Sequence, residues 1–173
     1  LLEIMNLIQS YIFRRQICEL STTPHARIFA GLYSNIPDPT DKNTYVDFVK
    51  AALLTQPDKQ KFPTDDEFFQ KLLTRDVYLM KTVCGYMLMK LENRRRKKEQ
   101  VNILGAVPSD ANATIEHILP QNPNLKQCWR DILGPDWHQV QQKCVNKLGN
   151  LTITQLNSEL SDACFPDKLA KAY

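Results

Sequence analysis

The chain predicts an α+β protein that is predominantly α-helical, a helical body followed by a small ββα unit. Three observations carry that expectation. Apolar residues recur at helical spacing over most of the first hundred positions. Short β-like runs replace that pattern after residue 112, and a stretch holding Gly105, Pro108, Ser109 and Asp110 separates the two regimes. With 173 residues the chain can bury a real core, as one medium domain or as a helical body with an appended unit. The pattern places the helical region at 1–110, with a linker over about 99–112, and the ββα unit at 111–173.

Leu1, Ile4, Met5, Ile8, Ile12 and Phe13 share one helical stripe, which predicts an amphipathic helix from Leu1 to about Glu19. Thr23 can cap a second helix, with Pro24 at its first position and Ile28, Phe29, Leu32 and Tyr33 as its apolar side. Ile36-Pro37-Asp38-Pro39 reads as a loop, and Tyr45 to Leu54 as a helix ending near Pro57. Asp65-Asp66-Glu67 suits a helix N-terminus, where the macrodipole favours negative charge. Val77 to about Lys98 is the longest periodic stretch, with Leu79, Met80, Val83, Tyr86, Met87 and Leu91 mostly on one side. Thr114 to Leu119 predicts a short strand stopped by Pro120, and Leu148 to Thr154 holds a second. Between them Trp129 to Lys147 is partly helical, and Phe165 to Tyr173 should form a last helix.

Composition narrows the classes. The net charge of +3 permits nucleic-acid binding without announcing it. Locally the balance is sharper: Arg94-Arg95-Arg96-Lys97-Lys98 is a run of cations and Arg14-Arg15 a smaller cluster. Cys18, Cys84, Cys128, Cys144 and Cys164 are scattered, odd in number and without a C-x-x-C pair. That argues against a disulfide framework and a zinc knuckle and fits a reducing cytoplasm. No run approaches the roughly 18 apolar residues of a membrane span, and the start shows no signal peptide. Lacking an initiator Met and opening inside a helical pattern, the chain reads as a piece of a longer protein.

One ordered set could do chemistry: Glu116-His117 on the first strand, Asn150 near the second, then Asn157 and Lys168. Phosphodiester hydrolysis needs a base for water, a cation for the charged phosphorane and a scaffold that aligns them. Histidine titrates near neutrality, and hard oxygen ligands suit Mg²⁺ or Mn²⁺. Adjacent strand residues point to opposite faces, so Glu116 and His117 can serve one phosphate only if a partner element wraps around one side. A ββα-metal finger supplies that element. There Asn150 would hold the loop of the base, Asn157 would give an amide oxygen to the metal, and Lys168 would meet a phosphate.

The run Ile115-Glu116-His117-Ile118-Leu119-Pro120-Gln121, a tryptophan-containing spacer, Leu148-Gly149-Asn150-Leu151-Thr152, Asn157 and the closing Phe165-x-x-Lys168 resemble a known pattern. It is that of the HNH nuclease domain at the C-terminus of GmrSD-type, modification-dependent (type IV-like) restriction and phage-defence proteins. The first string also resembles HNH domains of RNA-guided nucleases. Upstream, the string from Tyr11 to Leu20 and Ile28 to Leu32 resemble the helical region that precedes this nuclease in the same family. The resemblance implies an endonuclease with His117 as general base, Asn150 positioning it, and Glu116 and Asn157 on a single Mg²⁺ or Mn²⁺. It implies DNA as substrate, modified or foreign and sensed by an N-terminal NTP-dependent domain absent from this chain, and a cytoplasmic site of action. Cutting both strands needs two sites, hence a homodimer or two successive events. Asn157 stands where many HNH domains have histidine, which lowers the expected metal affinity.

Plainer readings compete. Gly-Asn pairs commonly make turns, Asn157 can cap a helix, and Lys168 fits a solvated helix lysine. The run Arg94, Arg95, Arg96, Lys97 and Lys98 is either a solvated helix end or a grip on DNA backbone. The alternative for the whole chain is a non-catalytic helical DNA-docking or protein-interaction module with a degenerate nuclease site.

Overall fold

The helical periodicity of the first hundred positions becomes α1 (Leu2–Ile17), α2 (His25–Asn35), α3 (Lys42–Leu54), α4 (Asp65–Thr74) and α5 (Lys81–Arg95). The later part holds β1 (Thr114–His117), α6 (Gln127–Leu133), α7 (Trp137–Cys144), β2 (Leu151–Thr154), α8 (Asn157–Leu160) and α9 (Phe165–Ala172). The structure, a computed structural model, describes residues 1–23, 25–35, 42–95 and 114–172, without the side chains of residues 33–35, 42–44 and 95. The Ile36–Pro39 loop and the 99–112 linker lie outside the described residues. Predominantly helical with one small two-stranded sheet, the chain forms two units, Leu1–Leu73 and Thr74–Tyr173.

In the first unit Tyr11, Ile28, Leu32, Val49 and Leu53 are buried together, with Phe29 and Phe62 packed against them. The stripe read from α1 needs correction. Leu1 and Met5 are exposed, while Arg15, counted above as half of a cationic cluster, is wholly buried. Its guanidinium donates to the carbonyl oxygens of Ser21 (2.7 Å), Lys59 (3.0 Å) and Lys61 (3.0 Å) and to His25 Nε2 (3.3 Å). A fork of five N–H donors can satisfy several carbonyls that no helix or sheet pairs, and this burial follows from that capacity. Arg14 pairs with Asp65 at 2.5 Å and donates to the Pro63 carbonyl. Neither arginine is a free phosphate hook. Thr64 and Glu67 cap α4 reciprocally: Thr64 Oγ1 accepts from the Glu67 N–H and Glu67 Oε2 from the Thr64 N–H.

The second unit departs from the single long helix expected over Val77–Lys98. A 3₁₀ turn, Val77–Leu79, comes first, and Met80 breaks it from α5. The buried side of α5 is Val83, Cys84, Met87, Leu88 and Met89, whereas Leu79 and Leu91 are exposed. α5 packs on β2 and so belongs to the unit that carries the sheet. β1 and β2 pair antiparallel, with Thr114 opposite Thr154, Ile115 opposite Ile153, Glu116 opposite Thr152 and His117 opposite Leu151. Leu119, Leu125 and Trp129 form a second core with Cys128, Leu133 and Trp137 around it.

The cysteine reading also needs correction. Cys128 on α6 and Cys164 just before α9 form a disulfide, with Cα atoms 6.0 Å apart. Folding holds those two segments together by other means as well. Trp129 Nε1 donates to the Ala163 carbonyl (3.0 Å), and Lys126 pairs with Asp162 (3.0 Å). Two cysteines separated by 36 positions give no spacing signal of such an encounter. Cys18, Cys84 and Cys144 are free thiols.

Candidate active site

β1 is short because its β-branched Thr114 and Ile115 favour extension while Pro120, with no N–H, cannot continue a ladder. Strand alternation turns Glu116 and His117 to opposite sides, and each meets a different element. Both are buried, at 4% and 7% exposed. Glu116 meets Lys168 of α9: Nζ donates to Oε1 at 2.5 Å and to the His117 carbonyl at 2.8 Å. The reading of Lys168 as a solvated helix lysine is thereby corrected, since it is 5% exposed and holds two acceptors. Lys168 is the one buried residue of α9; the rest of the helix, Phe165 and Leu169 included, is exposed.

His117 meets Tyr78 of the 3₁₀ turn, the two rings edge to face with centroids 4.3 Å apart. Tyr78 is held there by its own N–H, which donates to the Asn146 carbonyl (3.2 Å). Burial pushes the imidazole below its ordinary pKa. The Asn146 side chain pulls against it, and the charge on Lys168 pushes the same way as burial. His117 Nε2 is buried and without a hydrogen-bond partner, as is Asn146 Oδ1.

Asn150 lies in a 3₁₀ turn, Leu148–Asn150, one residue ahead of β2 rather than on it. Its amide grips the backbone just after His117: Oδ1 accepts from the Leu119 N–H (2.7 Å), and Nδ2 donates to the carbonyls of Leu119 (3.0 Å) and Val145 (2.9 Å). The Gly-Asn pair therefore does make a turn, and the same side chain fixes the loop that follows the histidine. Gln141 adds a second clamp, donating from Nε2 to the carbonyls of Pro120 and Asn122, both at 2.8 Å.

Asn157 opens α8 without capping it; Leu156 holds the cap position. Its Nδ2 donates to Thr114 Oγ1 (2.9 Å) and the Ile115 carbonyl (3.0 Å), so the amide is fastened to β1 by its nitrogen. Glu116, His117 and Asn157 all line one cleft of about 310 Å³, with Tyr78, Gln121 and Asp162. Lys168 lines a separate space of about 400 Å³ on the other side of Glu116, with Glu92, Phe165 and Leu169. Arg94 is exposed on α5, the Arg95 side chain is not described, and Arg96, Lys97 and Lys98 lie outside the described residues.

Sequence reasoning did not find Tyr78, Asn146, Gln141 or Asp162. Tyr78 and Asn146 reach His117 from distant positions in the chain, so no local motif joins them to it. The T-x-x-E spacing of Thr64 and Glu67 is a capping signal carried by the sequence itself.

The cleft's donor set is hard: one carboxylate, amide oxygens and an imidazole beside a second carboxylate. Among the described residues no three His, Cys, Asp or Glu side chains cluster to hold a metal. Such a set fits a hard divalent cation that takes much of its shell from water and phosphate, and it does not fit a closed structural zinc centre. Among curated proteins and solved structures, none matches this chain. Residues 62–173, more than half of the chain, match the family described as GmrSD restriction endonucleases, C-terminal domain. The chain belongs to that family, which relates it to restriction endonucleases.

Proposed function

We propose that the chain is a metal-dependent DNA endonuclease of the HNH kind, the effector part of a restriction and phage-defence protein. The observation that carries the reading is the single cleft lined by Glu116, His117 and Asn157, three residues from two elements far apart in sequence. His117, kept largely neutral near pH 7 by burial, takes the proton from an attacking water. Glu116 and the Asn157 amide oxygen are the ligands that would hold one Mg²⁺ or Mn²⁺. Bound there, such an ion supplies Lewis-acid stabilisation of the phosphorane and of the leaving oxygen. Asn150 acts at one remove by fixing Leu119, and the ββα-metal unit spans 111–173. Arg94 to Lys98 would hold DNA backbone.

DNA recognition is assigned to an N-terminal NTP-dependent sensor of modified or foreign DNA outside this chain, and two-strand cleavage to a homodimer. The cytoplasm, where invading DNA is met, is the proposed compartment. No described helix is long and apolar enough to cross a membrane. In a reducing cytoplasm the Cys128–Cys164 bond would be open to reduction.

A second reading has one observation in its favour: Lys168 already occupies an oxygen of Glu116, as in a site retired to a structural role. Supercoiled plasmid incubated with wild type and His117→Ala, with Mg²⁺, Mn²⁺ or EDTA, separates the two. Metal-dependent nicking or linearisation by wild type alone supports the nuclease. Equal inertness of both proteins, with DNA binding retained, supports the docking module.

A further inference from the structure

The orientation of His117 has a residue of its own, and it is not among those that the family pattern points to. Of the two ring nitrogens, Nε2 is sealed from solvent with no hydrogen-bond partner, while the residue also lines the cleft. A buried N–H or ring lone pair left unpaired is costly, so an acceptor or donor beside it is expected. Three groups are described against this residue. The Tyr78 ring packs edge to face, and its hydroxyl is no partner of Nε2. The Lys168 ammonium is described on Glu116 and on the His117 backbone carbonyl, not on the ring. The Asn146 side chain is the third, and its Oδ1 is likewise buried and unpaired.

Two buried polar atoms without partners, one able to accept and one able to carry hydrogen, sit on residues that both contact Tyr78. Asn146 is also held at the right place. Its carbonyl accepts from Tyr78, the next residue, Lys147, pairs with Asp76 at 2.8 Å, and the preceding residue, Val145, is gripped by Asn150.

We infer that Asn146 is a positioning residue for His117: its Oδ1 accepts the Nε2–H, which fixes the tautomer and leaves the Nδ1 lone pair turned to the cleft as the base. The catalytic role of that nitrogen rests on the nuclease reading; the contact itself does not. Tyr78 closes the other side of the ring, so the imidazole is held by an edge contact and a hydrogen bond together.

Nitrogen NMR of the His117 imidazole in the whole chain, free of metal and DNA, reads the tautomer directly. Wild type should show a protonated Nε2 and a bare Nδ1. Asn146→Leu, of similar size without an acceptor, should lose that preference, and Asn146→Asp, which restores an oxygen, should regain it. Asn146→Ala, read the same way, covers a Leu variant that fails to fold. In single-turnover cleavage the Leu or Ala variant should be slower by about 10- to 100-fold, part of what a placed general base contributes, with KM changed less than about twofold. A protonated Nδ1 in wild type, or unchanged nitrogen signals on removing the Asn146 acceptor, overturns the inference. A wild type that cuts no DNA overturns the nuclease reading, while the nitrogen signals still decide the contact.

Discussion

Replacing Lys168 with Met asks whether this lysine is an internal clamp or a surface group. The Met side chain keeps the length and most of the volume but removes the ammonium, which leaves the 4%-exposed Glu116 carboxylate without its partner. Breaking one side of a buried ion pair typically costs about 3–5 kcal/mol, because the remaining charge is buried and uncompensated. The lost bond to the His117 carbonyl adds about 1 kcal/mol. A solvated lysine changed to Met would move stability by no more than about 0.5 kcal/mol. The two cases therefore differ several-fold. Urea unfolding followed by circular dichroism measures the difference, and in a unit of this size the melting temperature should fall by about 15–30 °C. Adding Glu116→Gln removes the stranded carboxylate, so the double variant should recover much of the loss, and the cycle gives the coupling energy directly. A Lys168→Met variant within about 1 kcal/mol of wild type would refute the clamp and return Lys168 to a phosphate-binding role.

Other outcomes follow from the same geometry. Asn150→Ala removes three hydrogen bonds and strands the polar groups of Leu119 and Val145, so it should cost about 3 kcal/mol or more by denaturant unfolding. A loss no larger than that of a typical surface substitution would contradict it. Reducing the Cys128–Cys164 bond frees a loop of 36 positions, worth at most about 3–4 kcal/mol in chain entropy. The urea midpoint should drop with reductant, and should not in a variant carrying Ser at both positions. His25 is held below the ordinary 6.5 of an imidazole by burial first and by Arg15 second. The unfolded chain therefore binds the extra proton more readily. Stability is full above pH 6.5 and falls as pH drops from there through the folded pKa. His25→Gln, whose oxygen can accept the Arg15 bond without titrating, should lessen the fall in melting temperature between about pH 7 and pH 5, leaving the share that the buried His117 contributes. If Arg94 and Arg95 meet phosphate, neutralising both should lower the slope of log affinity against log salt by up to about 1.8. An unchanged slope removes them from the interface.

The helices were legible where a periodic stripe meets a boundary signal, as near Pro57, where one ends, and at the acids before Phe68, where one begins. The two strands were legible from β-branched runs bounded by Pro120 and Gly149. The sequence misled where polar groups do the work of a core. Arg15 looked cationic and exposed because nothing local shows that the carbonyls of Lys59 and Lys61, over forty positions away, need donors. Lys168 looked solvated because a single lysine on a short helix does so by default, and its partner Glu116 lies 52 positions earlier. Glu116, His117 and Asn157 could be named from order alone. Which side each would face, and that Tyr78 and Asn146 would hold the histidine, depended on a register and a turn that only the folded chain displays.

Among the described residues the ribbon has four residue pairs, and the Asn150 amide pins the backbone just beyond its last pair. Side chains on a strand alternate with period two, so the arrangement has no intermediate settings. A slip of one position would not shift the site slightly. It would exchange the roles of neighbours, setting the carboxylate against the Tyr78 ring and the imidazole against the ammonium of Lys168. Geometry at this site is two-valued, right or inverted, and the amides of Asn157 and Asn150, one at each end of β1, hold it to one setting.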